Sequence, residues 1–275
     1  MPDIYFPNLG IALNNVNRVA ISIFGFDIYW YAIFIILGIL AGYGTALMEA
    51  KRTGQRQDDY NDLLVAGTIS AVIGLRLFFV AFNWDLYRHD PIRIITGFRD
   101  GGLAIFGGII ASIIVVYLFS KKRGLNFWTI LDTCAPSFAI GQVIGRWGNF
   151  FNLEAFGGYT DNLFAMRLLR DQIRIYVPPE LLTDALYIQV HPTFLYEAMW
   201  NLAVFILLTL YRPRKKFDGE VFWLYLLGYG LGRFFIEGLR VDQLLMGELP
   251  VSQLMAAIIF TVAVVALVFR RTRRV

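Results

Sequence analysis

The chain has 275 residues, of which 57% are hydrophobic and 17% are charged, against about 25% charged in typical soluble domains. A soluble fold of this length has no interior large enough to keep so much apolar surface from water, and the same composition excludes disordered and low-complexity chains. Cys134 is the one cysteine, which excludes a disulfide framework and leaves a polytopic membrane protein.

Residues 1–27 contain no long apolar run and read as an external arm. Residues 1–17 have no Lys or Arg, so they lack the basic start of a cleavable signal peptide. Seven stretches then approach the roughly 20 residues that a helix needs to cross a bilayer core. The first, 28–48, is uncharged. The second, 63–82, is interrupted only by Arg76. The third is 101–119, and the fourth, 127–144, holds Asp132 and an expected kink at Pro136. The fifth, 194–210, carries Glu197; the sixth, 221–236, carries Arg233; the seventh, 251–269, is uncharged. Strands of a membrane barrel would be about ten residues long and alternating. The expected fold is therefore all-α, a single membrane domain over 1–275 with seven transmembrane helices. Residues 148–190 are expected to form an external loop or head region, a small subdomain broken by Pro178-Pro179. Within it, 163–175 reads either as a basic amphipathic helix on the membrane surface or as a solvated loop.

Basic residues orient the spans. With loops assigned alternately, one side receives every lysine: Lys51, Lys121, Lys122, Lys215 and Lys216, together with Arg52, Arg56, Arg123, Arg212, Arg214, Arg270, Arg271, Arg273 and Arg274. The other side receives Arg18, Arg88, Arg93, Arg99, Arg167, Arg170, Arg174 and Arg240. The lysine side is expected to be cytoplasmic, with the N-terminus outside and the C-terminus inside. This topology accounts for the net charge of +4, which gives no reason to invoke nucleic acid. The bilayer is the expected surrounding, and no internal repeat of the transporter kind is visible.

Ionisable side chains within a membrane are costly and usually functional. At about 1.5 Å per residue, Arg76 lies roughly 20 Å and Arg233 roughly 18 Å from the cytoplasmic ends of their spans, while Arg146 follows the fourth span at its outer end. Three guanidinium groups are thus expected in the outer half of the bilayer. If they converge they need an anion or carboxylates between them, and arginine's planar fork suits a phosphate. Tyr229, Arg233, Glu237 and Arg240 share one helical stripe. Glu197 opens the fifth span, and Asn149, Asn152 and Glu154 follow Arg146 closely. Structural readings stand beside these: Arg233 with Glu237 as a helix-stabilising pair, Arg76 snorkelling to the interface, Asp132 as a capping or packing residue, and Tyr29, Trp30 and Tyr31 as an interfacial aromatic belt.

The segment Gly145-Arg146-Trp147-Gly148-Asn149-Phe150-Phe151-Asn152-Leu153-Glu154 resembles the signature of the prolipoprotein diacylglyceryl transferases. Three more motifs agree with that family in order: His191-Pro192-Thr193-Phe194-Leu195-Tyr196-Glu197, Gly228-Tyr229-Gly230-Leu231-Gly232-Arg233, and Ile236-Glu237-Gly238-Leu239-Arg240. The resemblance covers nearly the whole chain and implies a seven-span transferase of the bacterial cytoplasmic membrane, with its active site toward the outer leaflet. It implies transfer of the diacylglyceryl group of phosphatidylglycerol to the lipobox cysteine of a prolipoprotein signal peptide, with loss of glycerol phosphate. By resemblance Arg146 and Arg233 are essential, with Tyr31, Asn149, Glu154, Glu197, Tyr229, Glu237 and Arg240 around them. Arg76 and Asn152 join the expected substrate-binding set, and Glu237 the catalytic one.

The residues suit that chemistry. A thiolate attacks the glyceryl carbon that bears the phosphate ester, and arginines on the leaving phosphate stabilise its developing charge in a low-dielectric site. The same field lowers the pKa of the incoming thiol. No cofactor is expected. The two histidines stand 102 residues apart and no zinc-protease spacing occurs, so no metal is expected either. Cys134, mid-span beside Pro136, reads as packing rather than nucleophile. Phe106 stands where many relatives carry His or Tyr, and phenylalanine takes no proton. The arginine field is then the favoured means of ionising the thiol, with Glu237 or Glu197 as acceptors, and His191 is expected to be structural. Two other classes are open to a chain with buried arginines. An anion transporter would give solute flux and no thioether; a non-enzymatic assembly factor would tolerate Arg146→Ala.

Overall fold

Long runs of Ile, Leu and Phe with scattered glycine satisfy their backbone internally only as helices when water is absent. The structure, a computed structural model, describes residues 2–97, 101–175, 177–184, 186–243, 245–247 and 249–272. Arg99, Arg273 and Arg274, which entered the charge count, lie outside the described residues. A helix of 18 residues or more stands over each of the seven predicted stretches: α1 (Trp30–Arg52), α2 (Gln57–Phe82), α4 (Ile105–Arg123), α5 (Phe127–Asn152), α6 (Thr193–Tyr211), α7 (Glu220–Glu237) and α8 (Val251–Thr272), with a short α3 (Arg93–Thr96) between α2 and α4. Five of these, α1, α2, α4, α6 and α8, are long and apolar enough to cross a membrane. The other two are less apolar because α5 carries Gln142, Arg146, Asn149 and Asn152, and α7 carries Glu220, Arg233 and Glu237.

Two boundaries differ from expectation in ways that matter. The fourth predicted stretch ends at 144, yet α5 continues through Pro136 to Asn152. Arg146 therefore lies within a helix, three residues before Asn149 on the same face, rather than beyond its end. The third predicted stretch starts at 101, yet α4 starts at Ile105, because Gly101 and Gly102 hold φ of +90° and +78°, outside the helical region.

The all-α expectation is corrected by strands outside the long helices. The arm supplies β1 (Ile4–Phe6), β2 (Ile11–Leu13) and the hairpin β3 (Val19–Ile23) and β4 (Phe26–Tyr29). The 148–190 region supplies β5 (Met166–Leu169) and β6 (Tyr187–Val190), and a small hairpin, β7 (Leu245–Met246) and β8 (Leu249–Pro250), precedes α8. Strands β2-β1-β5-β6 form one antiparallel sheet, with Ile4 opposite Leu168 and Leu168 opposite Ile188. The segment 163–175, read either as an amphipathic helix or as a solvated loop, instead contains a strand followed by a 3-10 turn at Arg170–Gln172. The physical reason is a period of two. Met166 and Leu168 are buried, whereas Arg167 and Leu169 are only half-buried, so pairing with β1 and β6 satisfies both backbone and side chains. The sheet packs Ile4, Leu168, Ile188 and Val190 against Phe150, Phe156 and Phe194, joining it to the end of α5 and the start of α6.

The chain divides into two compact units, Met1–Thr45 with Cys134–Val275, and Ala46–Thr133. In the second, α2 and α4 cross so closely that a Cβ on Gly107 would strike the Gly74 carbonyl. Arg76 is buried there; its guanidinium donates to the carbonyls of Arg93 at 2.8 Å, Ile94 at 2.9 Å, Gly101 at 2.7 Å and Gly102 at 3.2 Å, and lies over the Tyr87 ring. It does not snorkel. In the first unit, α6 packs on α7 and α7 on α8.

Candidate active site

Three elements of the first unit bring the charges together. On α6, Glu197, Asn201, Val204 and Leu208 form a buried stripe at helical spacing, which turns Glu197 toward α5 and α7. On α7, Tyr229, Arg233 and Glu237 recur every four residues. On α5, Trp147 and Phe150 pack against Phe194 with ring centroids 5.6 and 4.8 Å apart, which fixes Arg146 opposite Glu197. The Glu197 carboxylate is shared: Oε2 is 2.6 Å from Nη2 of Arg146, and Oε1 accepts from Nη1 of Arg233 at 2.9 Å. Arg233 reaches Glu237 Oε2 at 2.6 Å with its other nitrogen. Glu197 and Glu237 are almost fully buried, with side chains 5% and 3% exposed, so these are pairs in a low-dielectric setting.

Arg240, just beyond α7, lies 3.8 Å from Glu237 and makes a two-pronged contact with Asp242, both hydrogen bonds 2.9 Å. Burial works against its charge first, but the Asp242 carboxylate outweighs burial, with help from Glu237 and Glu197, and the guanidinium sits above its ordinary range. The Gly158 N–H donates to the Leu239 carbonyl and the Val241 N–H to Phe156, which ties the end of α7 to the loop after α5. A small cavity lined by Glu197, Trp200, Asn201, Tyr229 and Arg233 adjoins the carboxylate.

The other end of the site is the turn after α5. Asn149 and Asn152 both donate to Glu154 Oε1, at 2.9 and 3.1 Å, and Asn149 accepts from Arg146 at 3.4 Å. Leu153 and Ala155, on either side of Glu154, hold φ of +52° and +57°. Non-glycine residues in that region are strained, and such strain gathers at functional sites. Tyr31 lines a further cavity together with Asn152 and Glu154. His191 faces Tyr196, with Nδ1 3.2 Å from the hydroxyl; burial lowers its pKa. Among the described residues no group of three or more His, Cys, Asp or Glu could hold a metal ion.

A family model described as prolipoprotein diacylglyceryl transferase matches residues 18–269. The chain belongs to that family. A Bacillus mycoides protein named phosphatidylglycerol--prolipoprotein diacylglyceryl transferase is 40% identical over 256 residues, covering 93% of each chain. An Enterococcus faecalis protein of the same name is 42% identical over 262 residues, 94% of this chain and 92% of its own.

In this member of the family the structure joins Arg146, Asn149, Asn152, Glu154, Glu197, Arg233, Glu237 and Arg240 in one run of contacts. Tyr229 and Tyr31 line cavities at its two ends. Arg76 belongs to the other unit and its donors go to backbone carbonyls there. Sequence reading missed Trp200, whose indole N–H donates to the Gly228 carbonyl at 2.8 Å, and Asn201, buried one turn beyond Glu197. Their three- and four-residue spacing from Glu197 was the available signal. Asp242 was missed as well; it stands two residues after the arginine it holds.

Proposed function

We propose that the protein transfers the diacylglyceryl group of phosphatidylglycerol to the lipobox cysteine of a prolipoprotein signal peptide, forming a thioether and releasing glycerol phosphate, the first step of bacterial lipoprotein maturation. It does so as a seven-span protein of the cytoplasmic membrane, with the N-terminus outside, the C-terminus cytoplasmic and the site open to the outer leaflet. The observation that carries this reading is the single carboxylate of Glu197 held by Arg146 and Arg233. Each of its two oxygens meets one nitrogen of a different arginine, as two non-bridging oxygens of a phosphate diester would.

On this reading the lipid phosphate takes the place of Glu197 between the two guanidinium groups. The cysteine thiolate attacks the glyceryl carbon. The sulfur–carbon bond forms as the carbon–oxygen bond to phosphate breaks, and the electron pair leaves on glycerol phosphate. Arg146 and Arg233 stabilise the charge that this oxygen gains. Glu197, released from both arginines, or Glu237 takes the thiol proton, since Phe106 has no group that accepts one. Asn149, Asn152, Glu154, Tyr31, Tyr229 and Arg240 position the two substrates, and Arg76 clamps the segment before α4.

The test is incubation of the purified protein, in nanodiscs containing labelled phosphatidylglycerol, with a lipobox peptide. The expected product is a peptide heavier by one diacylglyceryl group on its cysteine. Arg146→Ala and Arg233→Ala should give no product while remaining inserted. Solute flux without an adduct, or an active Arg146→Ala protein, overturns the reading.

A further inference from the structure

The cavity at the start of α1 has a volume of about 390 Å³ and is lined by Arg18, Tyr29, Tyr31, Asn152, Glu154 and Arg174 among others. That volume falls within the range of about 300–1,000 Å³ typical of small-molecule sites. Its charges do not balance. Arg18 and Arg174 bring two guanidinium groups, whereas the one carboxylate, Glu154, already accepts from Asn149 and Asn152. Burial and then the Arg174 charge push the Arg18 pKa down, against a smaller pull from Glu154.

Arg18 is nevertheless held in place. Its Nη2 donates to the Gln172 carbonyl at 2.6 Å, and its own carbonyl accepts the Trp30 N–H at 3.0 Å. Gln172 in turn donates to Asp3 at 2.6 Å, and Asp3 accepts the Val16 N–H at 2.8 Å. Arg174 makes no hydrogen bond or ion pair among the described residues. The cavity also lies at the N-terminal end of a 23-residue helix, whose dipole favours an anion. A cavity that fixes one cation, holds a second without a partner among the described residues and adds a helix start is organised for a ligand with negative charge.

We propose that Arg18 and Arg174 form a second anion site, which grips the phosphate of a glycerol phosphate ester next to the site where that ester is cleaved. Asn149 joins the two sites: it accepts from Arg146 and donates to Glu154. The anionic character follows from the lining, while the glycerol ester rests on the transferase reading. Two sources share this chemistry, the head group of a lipid and the released glycerol phosphate.

The experiment is calorimetric titration of glycerol 1-phosphate, with inorganic phosphate in parallel, into the full-length protein in phosphatidylcholine nanodiscs. Wild type, Arg146→Ala, Arg174→Gln and Arg18→Gln/Arg174→Gln are compared. Arg174 is exposed, so its single variant should fold. The expected result is binding that survives Arg146→Ala and weakens about tenfold or more in Arg174→Gln, the scale of a lost hydrogen bond between charged groups. Repetition with phosphatidylglycerol in the disc separates the sources. Loss of the Arg174-dependent binding there means that the lipid head group fills the site; persistence means that the released ester does. If neither ester nor lipid shows Arg174-dependent binding, the proposal is wrong. Thioether formation is measured on the same samples. Binding without any adduct sinks the transferase reading and leaves the anion site standing, and an adduct without binding does the reverse.

Discussion

Glu197→Gln keeps the shape of the side chain and removes its charge. In the native protein two arginines approach that carboxylate at 2.6 and 2.9 Å. A glutamine offers one oxygen and one NH2 group, so one guanidinium faces a donor. Arg233 still has Glu237 at 2.6 Å, whereas among the described residues Arg146 keeps only Asn149 at 3.4 Å. Two unit charges at about 4 Å interact by about 4 kcal/mol at an effective dielectric of 20, and breaking a buried pair by removing one partner costs about 3–5 kcal/mol. A destabilisation of about 3–5 kcal/mol is therefore expected in neutral-lipid nanodiscs, a drop in Tm on the order of 10 °C. If Glu197 holds the place of a lipid phosphate, phosphatidylglycerol in the disc should restore much of that loss, because a phosphate supplies the missing anion. The assay is thermal unfolding of wild type and Glu197→Gln, each with and without phosphatidylglycerol. An equal loss in both lipids refutes the exchange of carboxylate for phosphate.

Arg146→Lys and Arg233→Lys should each lose most transfer activity in the peptide assay, because an ammonium group cannot reproduce the planar fork; near-normal turnover would remove two-pronged phosphate binding from the account. Gly232→Ala should destabilise by about 1–3 kcal/mol, since the new Cβ meets the Trp200 indole, and chemical unfolding reads this directly. Burial lowers the His191 pKa below its ordinary 6.5, so the folded protein takes up this proton less readily than the unfolded chain. Its effect on stability is absent above pH 6.5, and stability falls as pH drops through that value. Unfolding of wild type and His191→Gln should diverge only there, and no limb of the pH–rate profile near pH 6.5 should vanish in His191→Ala. Phe106→Tyr should be tolerated in the transfer assay, and Phe106→Ala should act through lost packing, seen as reduced stability rather than a changed pH profile.

The long helices were legible because their signal is local: an uncharged run such as 28–48 needs no partner to declare itself. The arginine and carboxylate stripe of α7 was legible for the same reason, being written at intervals of four. What depends on distant pairing was not. Residues 163–175 carry enough basic and apolar residues to suit an amphipathic helix, and only β1, from the other end of the chain, makes Met166–Leu169 a strand. The reach of α5 to Asn152 was hidden because Arg146 and Asn149 look like the end of an apolar run, although Glu197 and Glu154 satisfy them. Left-handed backbone at Leu153 and Ala155 has no sequence signal, as neither residue favours it. Arg18 and Arg174 were counted only as external charges, because nothing in their spacing shows that one cavity joins them.

The pairing of Ile4 with Leu168 has a consequence for biogenesis. Strand β1 leaves the ribosome ahead of α1, α2, α4 and α5, while β5 and β6 follow all of them. The four-stranded sheet is therefore closed late, after most of the helices are made, by a contact between remote parts of the chain of the kind that slows folding. Until then β1 has only β2 to pair with, and a pause in synthesis before residue 166 would leave its other edge open to proteases and to mispairing.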